Sequence, residues 1–311
     1  MSALGEPDVQ HDLRKVVAWM MGTLASFCGL AVSIRGLGHE LSVYEILALR
    51  NVGGLVILGA YCLVTPRARV GRPQPLHIHL LRNSFHMLGQ ALWTFGLMRL
   101  PLGTVFALEF TAPAWTLVLA VLFLRERFST ARIGAVGLGF LGVLIILHPG
   151  LTTFNPAAFF VLSAAFMFAV QLTTTKFLTG SNSVLTILVW MNIMQLPMYL
   201  AAQLITGGSV HLLPDLHPVT LVYVAALCVS GLMAHVCLTN AFRHGEAIVV
   251  VPLDFLRVPL ITLVGVAFYA EPFDPLVLGG AAVSAAGIVW NLRDQAATAR
   301  STRRLLKSVR L

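Results

Sequence analysis

ALEFTAPAWTLVLAVLFLRERF, residues 107–128, and PLDFLRVPLITLVGVAFYAEPF, residues 252–273, decide the fold between them. They lie 145 positions apart. At that single offset Glu109 falls on Asp254, Phe110 on Phe255, Phe123 on Phe268, Glu126 on Glu271 and Phe128 on Phe273. The register continues into the next segment, where Gly134 meets Gly279 and Gly142 meets Gly287, and Ala135 and Gly139 meet Gly280 and Ser284. Apolar chains share Leu and Val by chance. Acids, phenylalanines and glycines held at one offset point instead to an internal duplication.

The setting of this repeat is a membrane. Of 311 residues 57% are hydrophobic and only 11% charged, where soluble domains run near a quarter charged. Apolar runs lie near 16–34, 45–64, 80–98, 102–124, 131–148, 156–178, 183–206, 218–241, 246–269 and 274–292. Each has about the length that a helix needs to cross ~30 Å of hydrocarbon. They are continuously apolar rather than alternating, which speaks against a barrel, and backbone groups in lipid must pair within their own segment. The expected fold is therefore an all-α membrane protein of about ten transmembrane helices. Residues 1–13 are polar and partly acidic, so the first run reads as a retained helix rather than a cleaved leader.

Lys and Arg set the orientation. With the N-terminus cytoplasmic, the inside holds Arg14, Lys15, Arg67, Arg69, Arg72, Arg125, Arg127, Arg132, Lys176, Arg243 and the basic tail. The outside holds Arg35 and Arg99. An odd number of helices per half turns the second copy over. Glu126 sits between Arg125 and Arg127, whereas Glu271 sits between Ala270 and Pro272, as opposite sides of the membrane require. The expected division is a first five-helix half at 1–150, a second at 151–292, and a basic cytoplasmic tail at 293–311, which could lie on anionic headgroups or serve only to fix topology. Inverted repeats of this kind are a transporter architecture with a site near the midplane.

The net charge of +8 follows from topology, with no nucleic-acid-binding module. The four cysteines fall inside apolar runs without metal spacing. No P-loop, G-x-S-x-G elbow or HExxH is present, so an enzyme, an ATP-driven pump and a bound cofactor are not expected.

The ten-helix layout, the duplicated F-x-x-E (Phe123–Glu126, Phe268–Glu271) leading into glycine-rich helices, and Arg50 in the second helix resemble the drug/metabolite transporter superfamily, in proteins with two EamA domains. That resemblance covers nearly the whole chain. It implies a secondary transporter of a small organic solute, amino acid-like or vitamin-like, in the cytoplasmic membrane, working by alternating access. It also implies a cavity lined by helices one, three, four, six, eight and nine. The remaining alternative is a non-transporting membrane protein such as a membrane enzyme or assembly factor. A polar, reachable pocket at the midplane separates the two.

Ionisable groups inside a membrane are costly and so are functional candidates. Glu109, about a third of the way into the fourth helix, and its counterpart Asp254 are read either as solute- or proton-binding groups or as bundle-holding ones. Arg257, at i+3 from Asp254, either neutralises it or offers its planar fork to a solute. Gln90, Trp93 and Gln171 are expected to line the cavity, and His235 is a further candidate for solute binding or coupling. Arg50, His86, Pro113, Pro252 and Pro259 are expected to be structural, the prolines as interruptions that could hinge their helices. Trp190, Asn192 and Gln195 read as peripheral packing. The glycines of the fifth and tenth helices would either join the halves rigidly or form a homodimer face. The expected partners are thus a small solute and lipid, with proton coupling left open.

Overall fold

The computed structural model describes residues 13–65, 67–124, 130–147, 155–178, 181–208, 217–244, 250 and 253–308. The helices are α1 (Leu13–Leu37), α2 (Val43–Val64), α3 (Leu76–Leu97), α4 (Leu102–Glu109), α5 (Ala112–Leu124), α6 (Thr130–Leu147), α7 (Ala157–Leu178), α8 (Val184–Ile205), α9 (Pro218–His244), α10 (Arg257–Tyr269) and α11 (Pro275–Ser308). Six of them, α1, α2, α7, α8, α9 and α11, are long and apolar enough to cross a membrane. The other expected spans depart from that form for identifiable reasons. The third carries His79, Arg82, Asn83 and His86, all buried within the bundle. The fourth and ninth are interrupted. The fifth, α6, has an apolar stretch, Ile133–Leu147, that is shorter than a full span among the described residues.

Helix pairing follows the repeat. α1 packs along α9 and α3 along α7, so the first helix of each half lies against the third of the other. α2 packs on α8 and α6 on α11, each against its own counterpart, and α4, the first part of the fourth span, packs on α10, the second part of the ninth. Reciprocal contacts of this form are what a two-fold relation produces.

Small residues make the α6–α11 seam. A Cβ on Gly142 would come within 2.5 Å of the Gly280 carbonyl oxygen, and one on Gly280 would come equally near that of Gly142. Neither position admits a side chain without separating the helices, which is how small residues hold helices together in lipid. These glycines therefore join the two halves. Gly137 and Gly279 have open space around them.

α2 starts at a capping box, with Ser42 and Glu45 each bonding the other's backbone N–H. The Glu45 side chain is thus directed to the cap, although sequence places it only five residues before Arg50. α11 does not stop at Arg293. It continues to Ser308 because nothing between Asn291 and Ser308 breaks a helix.

Candidate functional site

The fourth span breaks immediately after Glu109. The Phe110 and Thr111 N–H groups fold back onto Phe106 and Leu108, the Thr111 hydroxyl also donates to the Leu108 carbonyl at 2.8 Å, and α5 restarts at Ala112. In the ninth span Leu253 and Asp254 are helical, Phe255 and Leu256 form a turn, and α10 restarts at Arg257. The two interruptions occupy repeat-equivalent positions. Glu109 is therefore the last residue of a half-helix, rather than lying partway along a continuous one. Pro113 and Pro259 stand in the first turn of the restarted helices, where a missing N–H costs nothing. They begin helices here instead of hinging them. Pro252 lies outside the described residues.

The breaks meet at the centre. Phe110 and Phe255 stack at 4.2 Å between centroids with planes 23° apart. Beside them Arg257, only 4% exposed, reaches both acids. Its Nη2 is 3.4 Å from Glu109 Oε1 and 3.5 Å from Asp254 Oδ2. The guanidinium lies over Phe27 at 4.0 Å, Phe110 at 4.8 Å and Phe106 at 5.2 Å, a cation–π cage on three sides. From α3, Trp93 Nε1 donates to Glu109 Oε2 at 2.9 Å. With all three groups ionised the cluster carries two negative charges against one positive. Its ion pairs are longer than a good charge-assisted hydrogen bond. Arg257 Nε and Asp254 Oδ1 have no hydrogen-bond partner among the described residues. A cluster that is negative, loosely paired and walled by aromatic rings can accept a cationic or proton-donating group in place of part of its own pairing.

The acid of the second F-x-x-E behaves differently. Ala270 adopts φ 51°, ψ 32°, a left-handed cap that ends α10 and turns Glu271 back. Glu271 then pairs with Arg35, and its other oxygen accepts the Leu102 N–H at 2.8 Å, the first N–H of α4. Arg35 also donates from Nε to the Leu97 carbonyl at 3.0 Å and from Nη2 to that of Leu100. This group staples α1 and the α10–α11 turn to the start of the other half's broken span. The first-half equivalent, Glu126, lies outside the described residues.

The remaining candidates separate from the central cluster. Gln90 accepts from Arg50 Nη1 at 2.8 Å. Arg50 is buried and lines a pocket with Asn192, Cys228, Gly231 and His235. Gln171 is turned along its own helix, donating to Thr175 Oγ1 at 3.0 Å, and Thr175 in turn accepts from Arg82 Nε at 3.1 Å. His86 is buried, with Nδ1 2.8 Å from Gln195 Nε2. Asn192 and Gln195 are thus interior and not peripheral, because α8 lies directly along α2 and α3. Trp190 alone of that group reaches outward, donating to the Gly71 carbonyl at 2.9 Å.

Sequence reasoning missed Arg82, the Arg35–Glu271 pairing and the phenylalanine cage. In so apolar a chain a phenylalanine carries little signal of its own. The pairing of Phe110 with Phe255 in the repeat was the one available clue. Among the described residues no group of His, Cys, Asp or Glu is placed to hold a metal ion.

Comparison with known proteins agrees with this architecture. Over 267 residues the chain is 26% identical to the S-adenosylmethionine uptake transporter of Rickettsia bellii (strain RML369-C), covering 86% of this chain and 89% of that one. Over 211 residues it is 33% identical to the riboflavin transporter of Rhizobium johnstonii, covering 68% of each. A Brucella anthropi riboflavin transporter matches at 26% over 249 residues, 79% of this chain and 87% of that one. One solved crystal structure superposes with a TM-score of 0.60 at 15% identity, covering 93% of this chain and 99% of its own, which bears on the fold alone. The model of the EamA-like transporter family matches residues 14–148 and again 155–293, and the chain belongs to that family.

Proposed function

We propose that the protein carries a small organic metabolite across the cytoplasmic membrane by alternating access, with both termini cytoplasmic, and that Glu109, Asp254 and Arg257 bind the solute or its coupled proton. The halves 1–150 and 151–292 rock against each other about the α6–α11 seam, and the basic residues from 293 onward stay at the cytoplasmic face. The observation that carries this reading is the meeting of two broken helices at repeat-equivalent residues, with the charged cluster at their junction. Broken helices at a repeat interface are where secondary transporters place their sites.

The relatives divide between a sulfonium-bearing zwitterion, S-adenosylmethionine, and a neutral flat ring system, riboflavin. An excess of carboxylate inside a cage of aromatic rings favours a solute that joins a positive centre to a ring. Those rings, without the charge, would also suit riboflavin, which keeps that reading as the second.

The test is uptake into proteoliposomes of labelled S-adenosylmethionine and of riboflavin, with and without a pH gradient. Glu109→Gln and Asp254→Asn are expected to abolish uptake or its response to the gradient. Full uptake with an unchanged gradient response in both variants would overturn the assignment of this cluster.

A further inference from the structure

Arg50 is the arginine that sequence reading set aside as structural, and its surroundings say otherwise. Arg257 has two carboxylates and Arg35 has Glu271. Arg50 is buried as well, yet its one hydrogen bond among the described residues goes to a neutral amide, Gln90. A buried guanidinium without an anion is the expensive form of that side chain. Arg82 is buried too, but its donors reach Thr175 and Asn83 and it does not line the pocket. Arg50 does, and none of its nitrogens is among the sealed, unpartnered atoms of the interior.

The pocket is built around it. Gly231 leaves space for the arginine stem, since a Cβ there would come within 2.9 Å of Arg50 Cδ. Asn192 and His235 add polar atoms to the wall. His235 lies within electrostatic reach of Arg50, Arg82 and Arg257, and no acid lines the pocket among the described residues.

Helix α3 connects this pocket to the central cluster. Trp93 holds Glu109 and Gln90 holds Arg50. The two residues are three apart on one face, a rise of about 4.5 Å. One face of α3 thus carries a hydrogen-bond partner for each group.

We propose that the Arg50 pocket is a solute subsite for a carboxylate or similar oxyanion, forming the positive pole of a bipolar site whose negative pole is the Glu109–Asp254 pair. The transported solute is then a zwitterion whose positive centre and carboxylate are a few bonds apart. This rests on the transport reading above and narrows it. A planar, doubly donating guanidinium suits a carboxylate better than a neutral group.

The experiment offers one pool of solutes to proteoliposomes of neutral phosphatidylcholine. The pool contains S-adenosylmethionine, its decarboxylated analogue, methionine and riboflavin, and vesicle contents are read by mass spectrometry. The wild type is expected to accumulate a carboxylate-bearing solute, and S-adenosylmethionine about tenfold over its decarboxylated analogue. Arg50→Gln should erase that preference and Arg50→Lys restore part of it, with thermal unfolding in detergent confirming that each variant folds. Should Arg50→Gln fail to fold, Gly231→Ala, which presses on the same side chain, is expected to reduce the preference. Accumulation of riboflavin or of the decarboxylated analogue, unaltered by Arg50→Gln, overturns the inference and leaves the transport reading standing. If the wild type accumulates nothing, the transport reading fails and this inference falls with it. A repeat in vesicles containing phosphatidylglycerol separates the other source of an oxyanion. An Arg50 effect confined to those vesicles assigns the pocket to a lipid headgroup and overturns the solute role.

Discussion

Two arginine–carboxylate groups in this molecule differ in completeness. At the α1 end, every nitrogen of the Arg35 guanidinium and both carboxylate oxygens of Glu271 have a partner. The guanidinium bonds a carboxylate and two carbonyls, and the carboxylate bonds the guanidinium and a helix N-terminus. At the centre, Arg257 stands 3.4 and 3.5 Å from two acids, and polar atoms on both sides lack partners among the described residues. A group that only holds a fold together satisfies its donors and acceptors, because each unmet one costs stability. A group that must exchange partners during a cycle cannot be so complete.

This contrast can be broken in four places. Glu271→Ala is expected to have the largest effect on stability, about 3 kcal/mol, because it strands Arg35 and uncaps α4 together. Thermal or denaturant unfolding in detergent reads it, and an unchanged midpoint would remove the distinction between the two sites. Arg257→Gln should cost about 2 kcal/mol, since two carboxylates are then left facing each other in a buried site. Adding Glu109→Gln to that variant should recover part of the loss, and a further drop would show that the acids are not in mutual repulsion. A double-mutant cycle on Phe110→Leu and Phe255→Leu should give a coupling of about 1 kcal/mol, the range of a stacked aromatic pair. A coupling near zero would mean that the two breaks do not support each other. Smallest is Glu109→Gln alone, which leaves Asp254 to pair with Arg257 and is expected to move stability by less than about 1 kcal/mol while uptake or its response to the gradient is lost. A large loss of stability there would make Glu109 a structural residue like Glu271.

How much of this could be read in the sequence depended on the kind of signal. The two halves were legible, because Glu109 and Asp254 share an offset with Glu126 and Glu271, and the family model matches each half separately. The interruptions were not, because neither Phe110–Thr111 nor Phe255–Leu256 contains a glycine or proline. Both runs, 102–124 and 246–269, therefore read as continuous. Pro113 and Pro259 were noticed but read as hinges, when a proline in a first turn marks a start. Asp254 with Arg257 was visible as an i+3 pair, while the reach of Arg257 to Glu109 across 148 positions is a product of tertiary packing alone. Arg50 was legible as a buried charge, but that no carboxylate among the described residues stands beside it appears only once the helices are assembled.

The restarted half-helices α5 and α10 begin at equivalent residues, Ala112 and Arg257. The acids are present in both halves, but the arginine is present in one. A symmetric dimer of a single half would have to place this arginine twice or not at all. Twice, it would crowd two guanidinium groups against the axis where Phe110 and Phe255 stack. Absent, it would leave two acids facing each other unneutralised. One chain carrying both halves can break that tie. Covalent fusion thus makes an odd charge count possible at the axis of an otherwise even structure, so that the two faces of the central site need not be chemically alike.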